Sequence, residues 1–255
     1  MEAKEMTFWD HLEEFRGVLI RSVSALLILF VALFFFKEFI FDSVVLAPTR
    51  SDFWLYKLLG LDFNLKLINI EVTAQFFIHM RVTFIAAVVV CFPYLCYELW
   101  RFVAPALYKN EIKAVRGAFG LGAGLFYLGA ATGYFIVMPL VMFFFSGYQV
   151  SEAVENTFAL GSYISIFTSM VFLMGILYEF PSVIAVLSRL GVVHRGFLRK
   201  YRRHAVVVIL VLAAILTPTG DPFTMLVVAG PLYLLYEFSI LICRKDERPQ
   251  EDDID

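Results

Sequence analysis

Residues 117–145 read GAFGLGAGLFYLGAATGYFIVMPLVMFFF, 29 consecutive positions without a charged side chain. As an α-helix this run extends roughly 44 Å, more than the roughly 30 Å of bilayer hydrocarbon. A run so long and so apolar reads as a membrane span. The composition around it agrees. Of 255 residues, 60% are apolar and 17% charged, with 28 Phe and a mean hydropathy of +0.78. Soluble domains carry about a quarter charged residues. A solvated enzyme domain and a disordered chain are therefore excluded.

Working outward, five further apolar runs appear. They are 17–36, broken only by Arg21; 72–97, carrying His79 and Arg81; 163–188, carrying Glu179; 205–217; and 222–243, carrying Glu237. The expectation is an all-α membrane protein with six transmembrane helices. Residues 1–255 then form one integral membrane domain, ending in a disordered acidic tail at 246–255. The fifth run, at 13 residues, covers only about 20 Å. Either its flanks, 202–204 and 219–222, complete the span by snorkelling, or a short helix thins the bilayer. Thr217-Pro218-Thr219-Gly220-Asp221-Pro222 predicts a tight turn, hence a close hairpin of helices five and six. The first run follows a charged amphipathic segment without a small-residue cleavage site, so it is expected to be retained.

The charge balance of −2 is uninformative as a total. Its distribution is not. With six spans, segments 1–21, 98–116, 188–204 and 244–255 share a side and hold three, four, six and three Lys or Arg, 16 of the 21. Basic residues mark the cytoplasmic side, so both termini are expected there. The first loop of the opposite side, 38–71, contains Phe53-Trp54-Leu55-Tyr56, which reads as an interfacial aromatic belt, with a cap over the bundle as the weaker reading.

Bond-making chemistry has no constellation in this chain. Cys91, Cys96 and Cys243 all lie in apolar runs and read as small fillers, and His11, His79, His194 and His204 make no metal-ligand spacing. No phosphate-cradling loop or nucleophile elbow occurs. The expectation is a non-enzyme without metal or cofactor, and without nucleic acid as a partner. Gly120 with Gly124, and Gly129 with Gly133, are small-xxx-small pairs that predict close helix packing.

Three constellations remain. At the N-terminus, Phe8, Leu12, Phe15 and Leu19 recur at helical steps, with Asp10, Glu13, Glu14 and Arg16 on the rest of the surface. An interfacial helix on the inner leaflet would look the same. Between runs two and three stands Trp100-Arg101-Phe102-Val103-Ala104-Pro105-Ala106-Leu107-Tyr108-Lys109-Asn110-Glu111, an apolar patch that ends in an acid. Two acid-bearing segments beside apolar surface suit a basic, partly apolar peptide, because carboxylates pair bidentately with guanidinium and not with ammonium. In the fourth run Glu179 precedes Pro181, which predicts a bend. An acid at that depth either lines a cavity or makes a structural hydrogen bond to a neighbouring helix.

These residues together resemble the TatC family, the multi-spanning receptor subunit of the twin-arginine protein translocase. The likeness covers nearly the whole chain. It rests on His11-Leu12-Glu13-Glu14-Phe15-Arg16, on Ala47-Pro48, on the 100–111 motif, on Glu179-Phe180-Pro181, and on Thr217-Pro218 followed by Asp221. Phe15 stands where the family usually has Leu, Val18 where a second basic residue is common, and Thr-Pro-Thr-Gly-Asp replaces Thr-Pro-Pro-Asp.

The resemblance implies a concave six-helix bundle in a bacterial inner membrane, with short fifth and sixth helices. It implies binding of twin-arginine signal peptides of folded precursors, docking of single-span TatA- and TatB-type subunits, and self-association in the receptor complex. By match, Glu14 and Glu111 would contact the arginine pair, with Arg16 and Phe102 in the same patch. Glu179, Pro48 and Asp221 would belong to a bilayer-buried cavity or to partner docking. The competing reading is a secondary transporter of a small solute or ion that uses Glu179 and His79; it lacks a visible repeat between 1–116 and 117–255.

Overall fold

Proline and glycine positions determine where the apolar runs bend, end and touch. The structure, a computed structural model, describes residues 8–61, 65–106, 109–151, 156–217 and 220–243. Helix α1 runs Phe8–Phe34, so the amphipathic N-terminal segment continues into the first apolar run as one rod. A short α2 spans Trp54–Leu59, and α3 spans Ala74–Val103 with Pro93 inside it. Helix α4, Lys109–Thr132, passes through a π-helical turn at Gly133–Val137 into α5, Met138–Gly147. Pro139 has no N–H to offer the carbonyl four residues back, and the wider turn accommodates the missing bond.

The fourth run is broken as Pro181 predicts. Helix α6, Leu160–Leu177, gives way to α7, Phe180–Arg189, with Tyr178 and Glu179 at the break. Helices α8 (Arg195–Lys200), α9 (Arg202–Leu216) and α10 (Pro222–Ile242) follow. Among the described residues five stretches are long and apolar enough to cross a membrane: His11–Phe34, Ala74–Val103, Val115–Gly147, Leu160–Arg189 and Pro222–Ile242. The 15 residues of α9 reach only about 22 Å, as the short fifth run requires. The expectation of a short sixth helix is corrected, because α10 has 21 residues and Pro231 inside it does not end it. Of the turn between α9 and α10, Pro218 and Thr219 lie outside the described residues, as does the acidic tail; Gly220 adopts the left-handed region at φ +60° that such a turn needs.

Helix α4 runs antiparallel to α6 and α7, and glycines set the closeness of that contact. A Cβ on Gly129 would strike the carbonyl of Met174, and one on Gly133 would lie 2.5 Å from the carbonyl of Met170. In return Phe126 of α4 enters the space over Gly175 and stacks on Phe92 of α3 at 3.5 Å between ring centroids. The second small-residue pair is therefore a packing seam. The first is not: nothing lies within 4 Å of a Cβ on Gly120 or Gly124, and it is Gly122 that faces α7. Three and four residues apart share a helix face, but which face meets the neighbour is decided by the rotation of the helix.

Helix α1 packs mainly on α3, and its outer face exposes Leu19, Val23, Leu27 and Val31. The segment between α1 and α3 folds into a cap, which overturns the preference for an interfacial belt. A π-helical stretch, Phe39–Val45, leads to a 3-10 turn, Ala47–Thr49, and then α2. Strand β1, Leu67–Ile68, pairs in parallel with β2, Phe158–Ala159. Tyr56 is fully buried and donates its hydroxyl to the carbonyls of Pro48 at 3.0 Å and Pro139 at 3.3 Å. Tyr163 and Tyr134 donate to the carbonyls of Val45 (2.6 Å) and Val44 (2.9 Å). Backbone carbonyls freed by the irregular cap are thus satisfied by tyrosines of the bundle.

Candidate functional site

The start of α1, the α3–α4 connection, the α7–α8 corner and the end of α10 gather at the end of the bundle away from the cap. There the ring of His11 stacks on Phe102 at 4.4 Å with an interplanar angle of 23°. Phe15, one turn further along α1, meets the same ring at 5.5 Å. These two contacts seat α1 on the last turn of α3. Immediately beyond, Ala104–Ala106 forms a 3-10 turn and α4 begins at Lys109. Pro105 accounts for the break, since it restrains its predecessor and offers no N–H.

Glu14 is half-buried and Arg16 exposed on α1, and Phe102 is half-buried. Glu111 falls in the first turn of α4, where the helix dipole favours a carboxylate; its side chain, together with Leu107 and Tyr108, lies outside the described residues. Glu14 and Arg16 thus lie on the stretch of α1 that His11 and Phe15 seat on Phe102, and Glu111 follows Phe102 by nine positions, in the first turn of α4.

An ion pair at this end escapes a reading by runs and motifs. Arg21 donates Nε to both carboxylate oxygens of Glu98 at 3.0 Å, and its Nη2 lies 2.8 Å from Oε2. The hydroxyl of Tyr94 donates to Glu98 Oε1 at 2.9 Å. The Glu98 side chain is 3% exposed and that of Arg21 38%. The signal was present as Arg21 inside the first apolar run and Glu98 directly after the end of the second, two charges close enough to the bilayer to need partners. Glu98 is thereby occupied by an internal guanidinium.

Glu179 sits at the α6–α7 break, half-buried and tightly enclosed. A Cβ on Gly122 would lie 2.5 Å from Glu179 Oε2 and 2.8 Å from Ser182 Oγ. Ser182 hydrogen-bonds the carboxylate from one turn along, while Oε1 is buried without a partner among the described residues. The absence of a side chain at Gly122 is what admits this acid between α4 and α7. Cys96 of α3 lies within electrostatic range of it.

His79 stacks on Phe34 at 4.1 Å and meets Phe41 of the cap at 5.9 Å. Cys96, beside Glu179, is 17 positions further along α3 than His79, about 25 Å of helix. The two groups needed for the transporter reading do not share a site.

Pro48 and Asp221 belong to the capped end. Pro48 is buried beneath Tyr56. Asp221 is the N-cap of α10, its Oδ1 accepting from the backbone N–H of Thr224 at 2.8 Å, with Pro222 in the first helical turn. The seven residues singled out by sequence thus fall into three places: a surface at the uncapped end, a midway acid, and two structural positions at the cap. Burial raises the pKa of Tyr56 above the usual phenol value, which keeps its hydroxyl a donor.

Comparison with known proteins gives one answer. The family model of "Sec-independent protein translocase protein (TatC)" matches residues 10–231. The Sec-independent protein translocase protein TatC of Blattabacterium sp. subsp. Periplaneta americana is 39% identical over 94% of this chain and 96% of its own. Two crystal structures of the twin-arginine translocase receptor TatC superpose with TM-scores of 0.73 and 0.76. They are 33% and 31% identical, over 91% and 92% of this chain and 97% and 99% of theirs.

Proposed function

The chain belongs to the TatC family of Sec-independent protein translocase proteins, and from that premise we propose that its uncapped end reads twin-arginine signal peptides. It is a multi-pass membrane protein and a translocase receptor subunit, with no bond-making step to perform. In this reading the uncapped end, which carries most of the Lys and Arg, is cytoplasmic in a bacterial inner membrane. Counting α9, six spans cross the bilayer as one domain.

The observation that carries the proposal is the stack of His11 and Phe15 on Phe102. It holds the helix bearing Glu14 and Arg16 against the connection that leads, nine positions after Phe102, to Glu111 in the first turn of α4. A peptide with adjacent arginines matches that surface: each guanidinium takes a carboxylate in a two-pronged contact, and apolar residues beyond them cover Phe102. Glu179 serves single-span TatA- and TatB-type partners, which approach the α6–α7 break from within the bilayer. Pro48, buried under Tyr56, and Asp221, the cap of α10, hold the shape of the capped end for partner docking.

The test is binding of full-length protein in detergent to a signal peptide and to its Lys-Lys twin. The arginine form binds more tightly, and Glu111→Ala removes most of the difference. Equal binding of both peptides by the parent protein overturns the proposal. A photocrosslinker at position 179 captures single-span subunits and spares the peptide; capture of the peptide alone reverses that assignment.

A further inference from the structure

On the side of α9 and α10, away from the surface around Phe102, a groove of about 300 Å3 runs between the α6–α7 break, α8, α9 and α10. Leu177, Phe180, Val208, Leu212 and Leu232 form its wall. Tyr236 also borders it, but its hydroxyl donates to the carbonyl of Leu198 at 2.7 Å, so the ring carbons are what the wall presents. The polar atoms cluster at one mouth, where Tyr201 and His204 lie with ring centroids 5.5 Å apart. From Tyr201 to Leu212 the groove follows α9 for roughly 16 Å.

The mouth is basic. Lys200 holds its ammonium 5.9 Å from the centre of the Tyr201 ring, and Arg199 and Arg203, both exposed, stand one and three positions from it in sequence. Arg202 is committed to Glu237 at 2.6 Å. An apolar slot entering the bilayer from a rim with three exposed cations matches a lipid with one negative headgroup.

We propose that this groove and its rim bind one anionic phospholipid. An acyl chain lies along Val208 and Leu212, and the headgroup phosphate sits against Lys200, Arg199 and Arg203. The site would tie the short helix α9 to the headgroup layer on its basic side, where a helix of 15 residues most needs an anchor.

Native mass spectrometry of the full-length protein in detergent, with phosphatidylglycerol or phosphatidylcholine added at equal mole fraction, tests this. The parent retains phosphatidylglycerol preferentially. Each basic residue near an anionic headgroup is worth about fivefold in binding, so the combined Arg199→Gln, Lys200→Gln and Arg203→Gln variant loses phosphatidylglycerol by tenfold or more, at about unchanged phosphatidylcholine. Val208→Trp, which fills the slot, lowers retention of both lipids. Equal retention of the two lipids by the parent, or an undiminished preference in the triple variant, overturns the proposal. A photocrosslinker at position 208 in native membranes yields a lipid adduct; a polypeptide adduct in its place, from a single-span subunit or a second copy, assigns the groove to another occupant and refutes it.

Discussion

Replacing Arg21 by Met tests the ion pair that clamps α1 to α3. Glu98 is 3% exposed and keeps only the Tyr94 hydroxyl when the guanidinium is removed. Deleting one partner of a buried pair leaves an uncompensated charge, at a cost of about 3 kcal/mol here, the low end of the range because Tyr94 remains. The reciprocal change, Glu98→Gln, is milder. Arg21 is 38% exposed, so its guanidinium can turn to water or headgroups, and the cost falls to about 1 kcal/mol. Replacing both, Arg21→Met with Glu98→Leu, removes the charges together and returns stability to within about 1 kcal/mol of the parent. Thermal unfolding in detergent reads these values. At about 2–4 °C per kcal/mol for a chain of this size, Arg21→Met lowers Tm by about 6–12 °C and Glu98→Gln by about 2–4 °C. Equal shifts in the two single variants, or a double variant as unstable as Arg21→Met, would refute the reasoning. Because α1 carries Glu14, discrimination between Arg-Arg and Lys-Lys peptides weakens in Arg21→Met and recovers in the double variant.

The glycine seam separates two substitutions that look alike in sequence: Gly129→Ala forces the α4 and α6 backbones apart and costs about 1–3 kcal/mol, whereas Gly120→Ala, with open space around it, is neutral or stabilising by up to about 1 kcal/mol, both read as melting temperatures. Tyr56→Phe strips the hydroxyl from the buried carbonyls of Pro48 and Pro139, costing about 1–3 kcal/mol, and hydrogen exchange rises in residues 38–61 before it rises in α3 or α4. Asp221→Ala loses the cap of α10 and about 1 kcal/mol, while Asp221→Asn keeps most of it, since an amide oxygen also accepts from the Thr224 N–H.

Much of the architecture was legible because hydropathy is a local property. The long uncharged run at 117–145, the bend at Pro181 and the brevity of the fifth run all follow from which residues are neighbours in sequence. The motif at 100–111 and the acids at 14 and 179 could likewise be singled out, and the structure seats Glu14, Arg16 and Phe102 at one end. What failed needed three dimensions. Gly120 and Gly124 have the same spacing as Gly129 and Gly133, and only the rotation of α4 about its axis decides which pair meets a neighbour. The aromatics at 53–56 carry no mark that distinguishes a belt from a cap. Tyr56 becomes a core residue because a carbonyl of Pro48, eight residues away, and one of Pro139, 83 away, converge on its hydroxyl.

The sequence by itself determined that the chain is a multi-pass membrane protein and which of its runs are apolar enough to cross. Those properties depend on the transfer of each segment into lipid, and each segment carries that information alone. Only the tertiary structure decided which charges are spent inside the protein. Arg21 and Glu98 are 77 residues apart and meet because α1 lies on α3 at one register; Glu179 fits because Gly122 has no side chain. A charge in a bilayer must find a partner or water, and helix packing assigns which. That assignment sets Glu98, already paired, apart from Glu14 and Glu111, the acids proposed to receive an arginine from outside.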